Sequence, residues 1–95
     1  MTKELIFTKQ VARSGRGFLV WIPKDIVDFL KLDERTYVET SVRELKKEIV
    51  LRFTKRIAKS GRGYLLWIPK DVSDYLKLGE DSMCEFRISR LGGVR

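Results

Sequence analysis

The side chains of this sequence best equipped for chemistry are its cations, and their placement says more than their number. From Leu5 to Lys24 there are four basic residues (Lys9, Arg13, Arg16 and Lys24) and no acid. From Ile49 to Lys70 there are six (Arg52, Lys55, Arg56, Lys59, Arg62 and Lys70) and again no acid. Those windows hold ten positive charges against a net charge of +7, so the remainder of the chain carries 7 − 10 = −3. A solubilising surface scatters both signs. Cations gathered in two windows are the electrostatic footprint of a polyanion binder.

Other chemistry is poorly supplied. There is no histidine, and Cys84 is the single cysteine, so neither an intrachain disulfide nor a thiol-based metal site is available. Cys84 reads as a small core hydrophobe. Asp25 and Asp28, with their counterparts Asp71 and Asp74, lie three apart on predicted helices. They read as dipole partners and solubilising charges, not as a general acid/base pair. The Gly15-Arg16-Gly17 turn lacks the third glycine and the strand–helix context of a dinucleotide fingerprint, and no Gly-Lys-Ser/Thr follows it. The expectation is a protein that is not an enzyme, with no metal, cofactor or small-molecule substrate.

The elements that carry the cations occur twice. Ser14 to Leu32, SGRGFLVWIPKDIVDFLKL, returns as Ser60 to Leu78, SGRGYLLWIPKDVSDYLKL, at an offset of 46 residues. The alignment runs without a gap from Thr8/Thr54 to Leu45/Leu91, with 20 identities in 38 pairs. Two copies are too few for a solenoid. They suggest one domain, residues 1–95, holding two repeats of about 3–47 and 48–91 that stabilise each other as a two-fold pair.

Each repeat reads the same way. Residues 3–13 alternate as a strand with Leu5, Phe7 and Val11 inward, and Ile49, Leu51, Phe53 and Ile57 repeat that face. Lys9 and Lys55 fall on the inward parity, which predicts a bulge or a barrel mouth beside them. The Ser-Gly-Arg-Gly turn supplies positive φ and free backbone N–H groups for an anion. A buried-type strand, Phe18 to Ile22, stops at Pro23, where a helix starts and runs to about residue 31. Its inward stripe is expected at Ile26, Phe29 and Leu30, and at Val72, Tyr75 and Leu76 in the second copy. Val27 aligns with Ser73, which predicts an exposed position. Lys24 and Lys70 stand in first turns, where the helix dipole disfavours them, which hints at a task.

A further strand follows at 37–43 and at 83–89, and the segment 48–58 closes the first repeat while opening the second. The second repeat has no closing strand of its own, so residues 4–8 are predicted to lie beside 83–89. No apolar run reaches the roughly 18 residues of a membrane span and the N-terminus has no signal-peptide pattern, so a cytoplasmic protein is expected. The chain has no asparagine, one glutamine and 35% charged residues, a composition that fits a thermophile.

Gly15, Ile22-Pro23-Lys24, Leu30 and Leu32, with Gly61, Ile68-Pro69-Lys70, Leu76 and Leu78, resemble the AbrB/MazE/SpoVT swapped-hairpin family. The spacing from Gly15 to Pro23 is similar to the MazE branch. The resemblance covers nearly the whole chain twice. It implies a mostly β fold with two short helices, an AbrB-like swapped-hairpin β-barrel made here as an intrachain pseudo-dimer of two 46-residue repeats. It also implies binding of double-stranded DNA, as in a transcription regulator, through the basic strand–turn–strand surfaces of both repeats. The matching positions are Lys9, Arg13, Arg16, Lys24, Lys55, Arg56, Lys59, Arg62 and Lys70.

There are departures. Trp21 and Trp67 stand where MazE-like chains often carry a basic residue, and only five residues follow Arg90 in the sequence, so a toxin-binding tail like that of the MazE-like antitoxins is not expected. Arg16 and Arg62 are the candidates for base edges, and Lys24 and Lys70 for phosphates. The tryptophans could cover a barrel end, stack on a sugar or base, or form a further dimer contact. The alternative function is a basic protein-interaction module, or an antitoxin-like partner binder without enzymatic activity.

Overall fold

Proline decides where each repeat changes from strand to helix. In the computed structural model, which describes residues 4–61 and 63–91, the chain builds β1 (Glu4–Gln10), β2 (Ala12–Ser14) and β3 (Gly17–Trp21), then α1 (Lys24–Leu30) and β4 (Tyr37–Glu44). The second repeat supplies β5 (Leu51–Arg56), β6 (Ala58–Ser60), β7 (Gly63–Trp67), α2 (Lys70–Leu76) and β8 (Met83–Arg90). Pro23 and Pro69 precede the helices with extended ψ of 142° and 145°, because proline removes a ladder donor yet suits a helix start. Each helix ends at a lysine in the left-handed region, Lys31 at φ 56° and Lys77 at φ 53°.

The strands form two antiparallel four-stranded sheets, ordered β1-β8-β4-β5 and β2-β3-β7-β6. Exchanging repeat-equivalent strands reverses each order and restores it. The registers agree: Val20 pairs with Leu66 and Ser41 pairs with Arg87, and in both cases the partners are 46 residues apart. The N-terminal strand lies where its sequence demanded, paired with β8 from Glu4↔Ser89 to Gln10↔Met83.

The β1–β2 run passes from one sheet to the other at Val11, which is 2% exposed and whose N–H donates to the Ser82 carbonyl at 3.0 Å. Ile57 does the same, donating to the Thr36 carbonyl at 2.8 Å. Lys9 and Lys55 stand in unbroken ladder registers, opposite Cys84 and Val38, so the change of sheet beside them takes the place of the expected bulge or barrel mouth, and Lys9 is exposed there. No closed barrel forms among the described residues: β1 and β5 edge one sheet, and β2 and β6 edge the other.

Between the sheets lies the core, centred on Phe7, Val20, Val38, Val42, Leu66 and Phe86, with the Phe7 and Phe86 rings stacked at 5.2 Å. Cys84 is fully buried among these residues. Three expectations fail. Phe29 and Tyr75 are 55% and 63% exposed, whereas Val27 and Ser73 are 9% and 7% exposed. Seven-residue helices make under two turns, so docking α1 on β7 and α2 on β3 selects a stripe at i, i+1 and i+4 instead. The Ser73 hydroxyl tolerates burial because it donates to the Lys70 carbonyl at 3.0 Å. Ile49 is 43% exposed because the β4–β5 ladder begins only at Val42↔Leu51.

Candidate nucleic-acid interface

The β2–β3 turn puts one arginine at its tip. Ser14 pairs with Gly17 across the hairpin, leaving Gly15 and Arg16 as the loop. Gly17 takes φ of +135°, which a side chain would strain, while Gly15 has open space around it. Arg16 is exposed, but its N–H donates to Ser14 Oγ at 3.2 Å, so that amide is not free for an anion as the sequence suggested. Arg62, its counterpart, lies outside the described residues.

Strand pairing fixes two more cations. Arg13 lies opposite Phe18 with its guanidinium 5.6 Å from the ring centroid, and Lys59 lies opposite Tyr64 with its ammonium at 5.7 Å. Both remain exposed, held over the ring by a cation–π contact. Lys24 and Lys70 are engaged differently: Lys24 Nζ donates to Asp28 Oδ2 at 3.0 Å, and Lys70 Nζ to Asp74 Oδ2 at 2.8 Å. The hydrogen bond it donates to Asp74, then the aspartate's charge, holds the Lys70 ammonium above the ordinary lysine pKa.

These cations collect in two grooves, each beside a tryptophan. Lys9, Trp21, Lys24, Asp28 and Tyr64 border the first. Lys55, Arg56, Lys59, Tyr37 and Trp67 border the second, with Glu34 at its edge. The structure therefore brings Lys9 together with Lys24, and Lys55 with Arg56 and Lys59, while Arg16 lies in the β2–β3 turn and borders neither groove. Lys70 sits at the start of α2, directly after Pro69, as Lys24 follows Pro23.

Between the grooves lies a surface that the cation pattern did not reveal. In β3 and β7, Phe18, Val20, Tyr64 and Leu66 pack on the core. The alternate residues face away from it: Leu19, Trp21, Leu65 and Trp67, with Ala12 opposite Leu19 and Ala58 opposite Leu65. Leu19 and Leu65 are each only 6% exposed yet lie outside the core cluster, and both tryptophans are half-buried. The register sets Leu19 opposite Trp67 and Trp21 opposite Leu65. The signal was an unbroken apolar run, FLVW or YLLW, which fills both faces of a strand at once.

The other sheet's outer face is electrically mixed. Arg43–Glu85 at 3.5 Å, Arg52–Glu39 at 3.9 Å and Arg87–Glu4 at 3.7 Å pair cation with acid across it. Among the described residues no cluster could hold a metal ion, and no helix is long and apolar enough to cross a membrane.

No family model matches this chain, and no curated protein matches it. Its fold is similar to the solution structure of PHS018 from Pyrococcus horikoshii, with a TM-score of 0.74 at 20% identity over 95% of each chain.

Proposed function

We propose that this chain binds double-stranded DNA as a transcription regulator, and that it is an intrachain pseudo-dimer of two swapped-hairpin units of the AbrB/MazE/SpoVT type. The observation that carries the reading is the gathering of cations from both repeats in two grooves, Lys9 with Lys24 in one and Lys55 with Arg56 and Lys59 in the other, while Arg43, Arg52 and Arg87 on the outer face of the β1-β8-β4-β5 sheet are paired with acids. The matching registers, Val20↔Leu66 and Ser41↔Arg87, support a two-fold relation between the repeats, which suits two half-sites on a duplex. Lys9, Lys55, Arg56 and Lys59 neutralise phosphates and release counterions. Arg16 on its hairpin tip reaches a base edge, and Arg62, its counterpart in the sequence repeat, is assigned the same task. Differences such as Gln10/Arg56 make the two half-sites unequal.

The test is anisotropy of a labelled duplex across a salt series, for the wild type and for Arg16→Ala/Arg62→Ala. Binding that falls steeply with salt and weakens in the double variant supports the reading. Absence of binding to any duplex at about 50 mM salt removes it, and a basic module for an acidic protein partner takes its place.

A further inference from the structure

We propose that Trp21 and Trp67 stack on unpaired bases, so that this face prefers a locally melted stretch of DNA to a fully paired one. The inference rests on the nucleic-acid reading above and deepens it. A surface that only neutralises phosphate carries cations across its middle. Here the middle of the sheet holds Leu19, Trp21, Leu65 and Trp67, and the cations stand around it.

Each half-buried indole shares its groove with ammonium or guanidinium groups: Trp21 with Lys9 and Lys24, Trp67 with Lys55, Arg56 and Lys59. A flat aromatic beside cations matches the two halves of a nucleotide, a base with a π face and an anionic phosphate. Base–aromatic stacking together with a basic groove is how proteins hold single strands. A paired duplex keeps its base faces inside the stack and offers this apolar centre nothing. A melted segment presents them.

The charge on the rim selects this occupant over a second copy of the chain. Two copies docked face to face would bring one basic rim against another, and like charges across an interface oppose association. Leu19 and Leu65, already covered at 6% exposure, add little apolar area to such a contact.

Three labelled probes test the proposal: a full duplex, the same duplex with a four-base central bubble, and a dT single strand. Indole emission is followed with anisotropy. We expect quenching by the bubble and the single strand, and bubble binding at least about fivefold tighter than duplex for each stacked base. Trp21→Leu/Trp67→Leu brings the bubble-to-duplex ratio towards one, and Trp21→Phe/Trp67→Phe, which keeps a ring, retains it. Should the leucine pair fail to fold, wild-type quenching and the phenylalanine pair still decide. Duplex and bubble bound equally, without quenching, overturns this inference and leaves duplex binding standing. A wild-type dimer in sedimentation that the leucine pair turns into a monomer assigns the face to a second copy and overturns it too. Binding to none of the probes removes both readings.

Discussion

Neutralising two acids should steepen the salt dependence of DNA binding. Asp28 accepts from Lys24 at 3.0 Å and Asp74 accepts from Lys70 at 2.8 Å, with both lysine side chains 87% exposed and both aspartates 63%. Asp28 also borders the groove of Lys9 and Trp21, where its charge would oppose a phosphate of the proposed DNA. Asp28→Asn/Asp74→Asn raises the net charge from +7 by two and releases both lysines. The raised pKa of Lys70 falls back without Asp74, but the ammonium stays charged at neutral pH in either case, so the gain comes from freed donors.

Each phosphate newly neutralised adds about 0.9 to the slope of log K against log salt, so the double variant steepens it by about 1.8. Its affinity gain over wild type should then be about twelvefold larger at 50 mM than at 200 mM salt. Exposed pairs of this kind contribute little to stability, so thermal melting should hardly change. Anisotropy titrations at four or more salt concentrations give the slope. A slope equal to wild type would refute the argument, because the two lysines would then face no phosphate.

Further predictions follow from the core, the helix ends and the thiol. Thr40 is 1% exposed and its hydroxyl has no hydrogen-bond partner among the described residues, so Thr40→Val should stabilise by about 1 kcal/mol and raise Tm by roughly 4–8 °C. The same change at Thr36 should destabilise by about 1 kcal/mol or more, because its hydroxyl donates to Asp33 Oδ1 and accepts from the Asp33 N–H, both at 3.0 Å. The Arg35 backbone N–H, and then Thr36, hold the Asp33 carboxyl below its ordinary pKa of 3.8. That contribution is present above pH 3.8 and is lost as pH falls through the lower folded value, a loss that acid titrations of Thr36→Val should show reduced. Lys31→Gly/Lys77→Gly relieves two left-handed residues and should raise stability by about 0.5–1 kcal/mol at each site, read by denaturant melts. Burial first, and Glu44 second, push the Cys84 thiol up to about 11, so an aromatic disulfide reagent at pH 8 should react only once denaturant opens the core.

The repeat was legible because it is written in identities, and it carried much of the fold with it. Pro23 and Pro69 marked the helix starts, and the glycine turns marked the hairpins. The alignment of the N-terminal segment with the strand that closes the first repeat foretold the pairing of β1 with β8. The cations of the candidate site were legible too, since charge segregation needs no coordinates. Less could be read where one residue type serves two surroundings. Phe29 and Tyr75 look like core residues, but the rotation of so short a helix is decided by the strand of the other repeat on which it docks. Lys24 and Lys70 look free until the helix brings Asp28 and Asp74 one turn away.

Composition and spacing alone determined a basic, twice-repeated, strand-rich chain, because charge and periodicity are local properties of a sequence. Only the tertiary structure decided that the runs at Val11 and Ile57 change sheets, leaving two open sheets among the described residues, and that Trp21 and Trp67 are set opposite Leu65 and Leu19 with cations beside them. A strand apolar on both faces says that both are covered, and only strand register says by what.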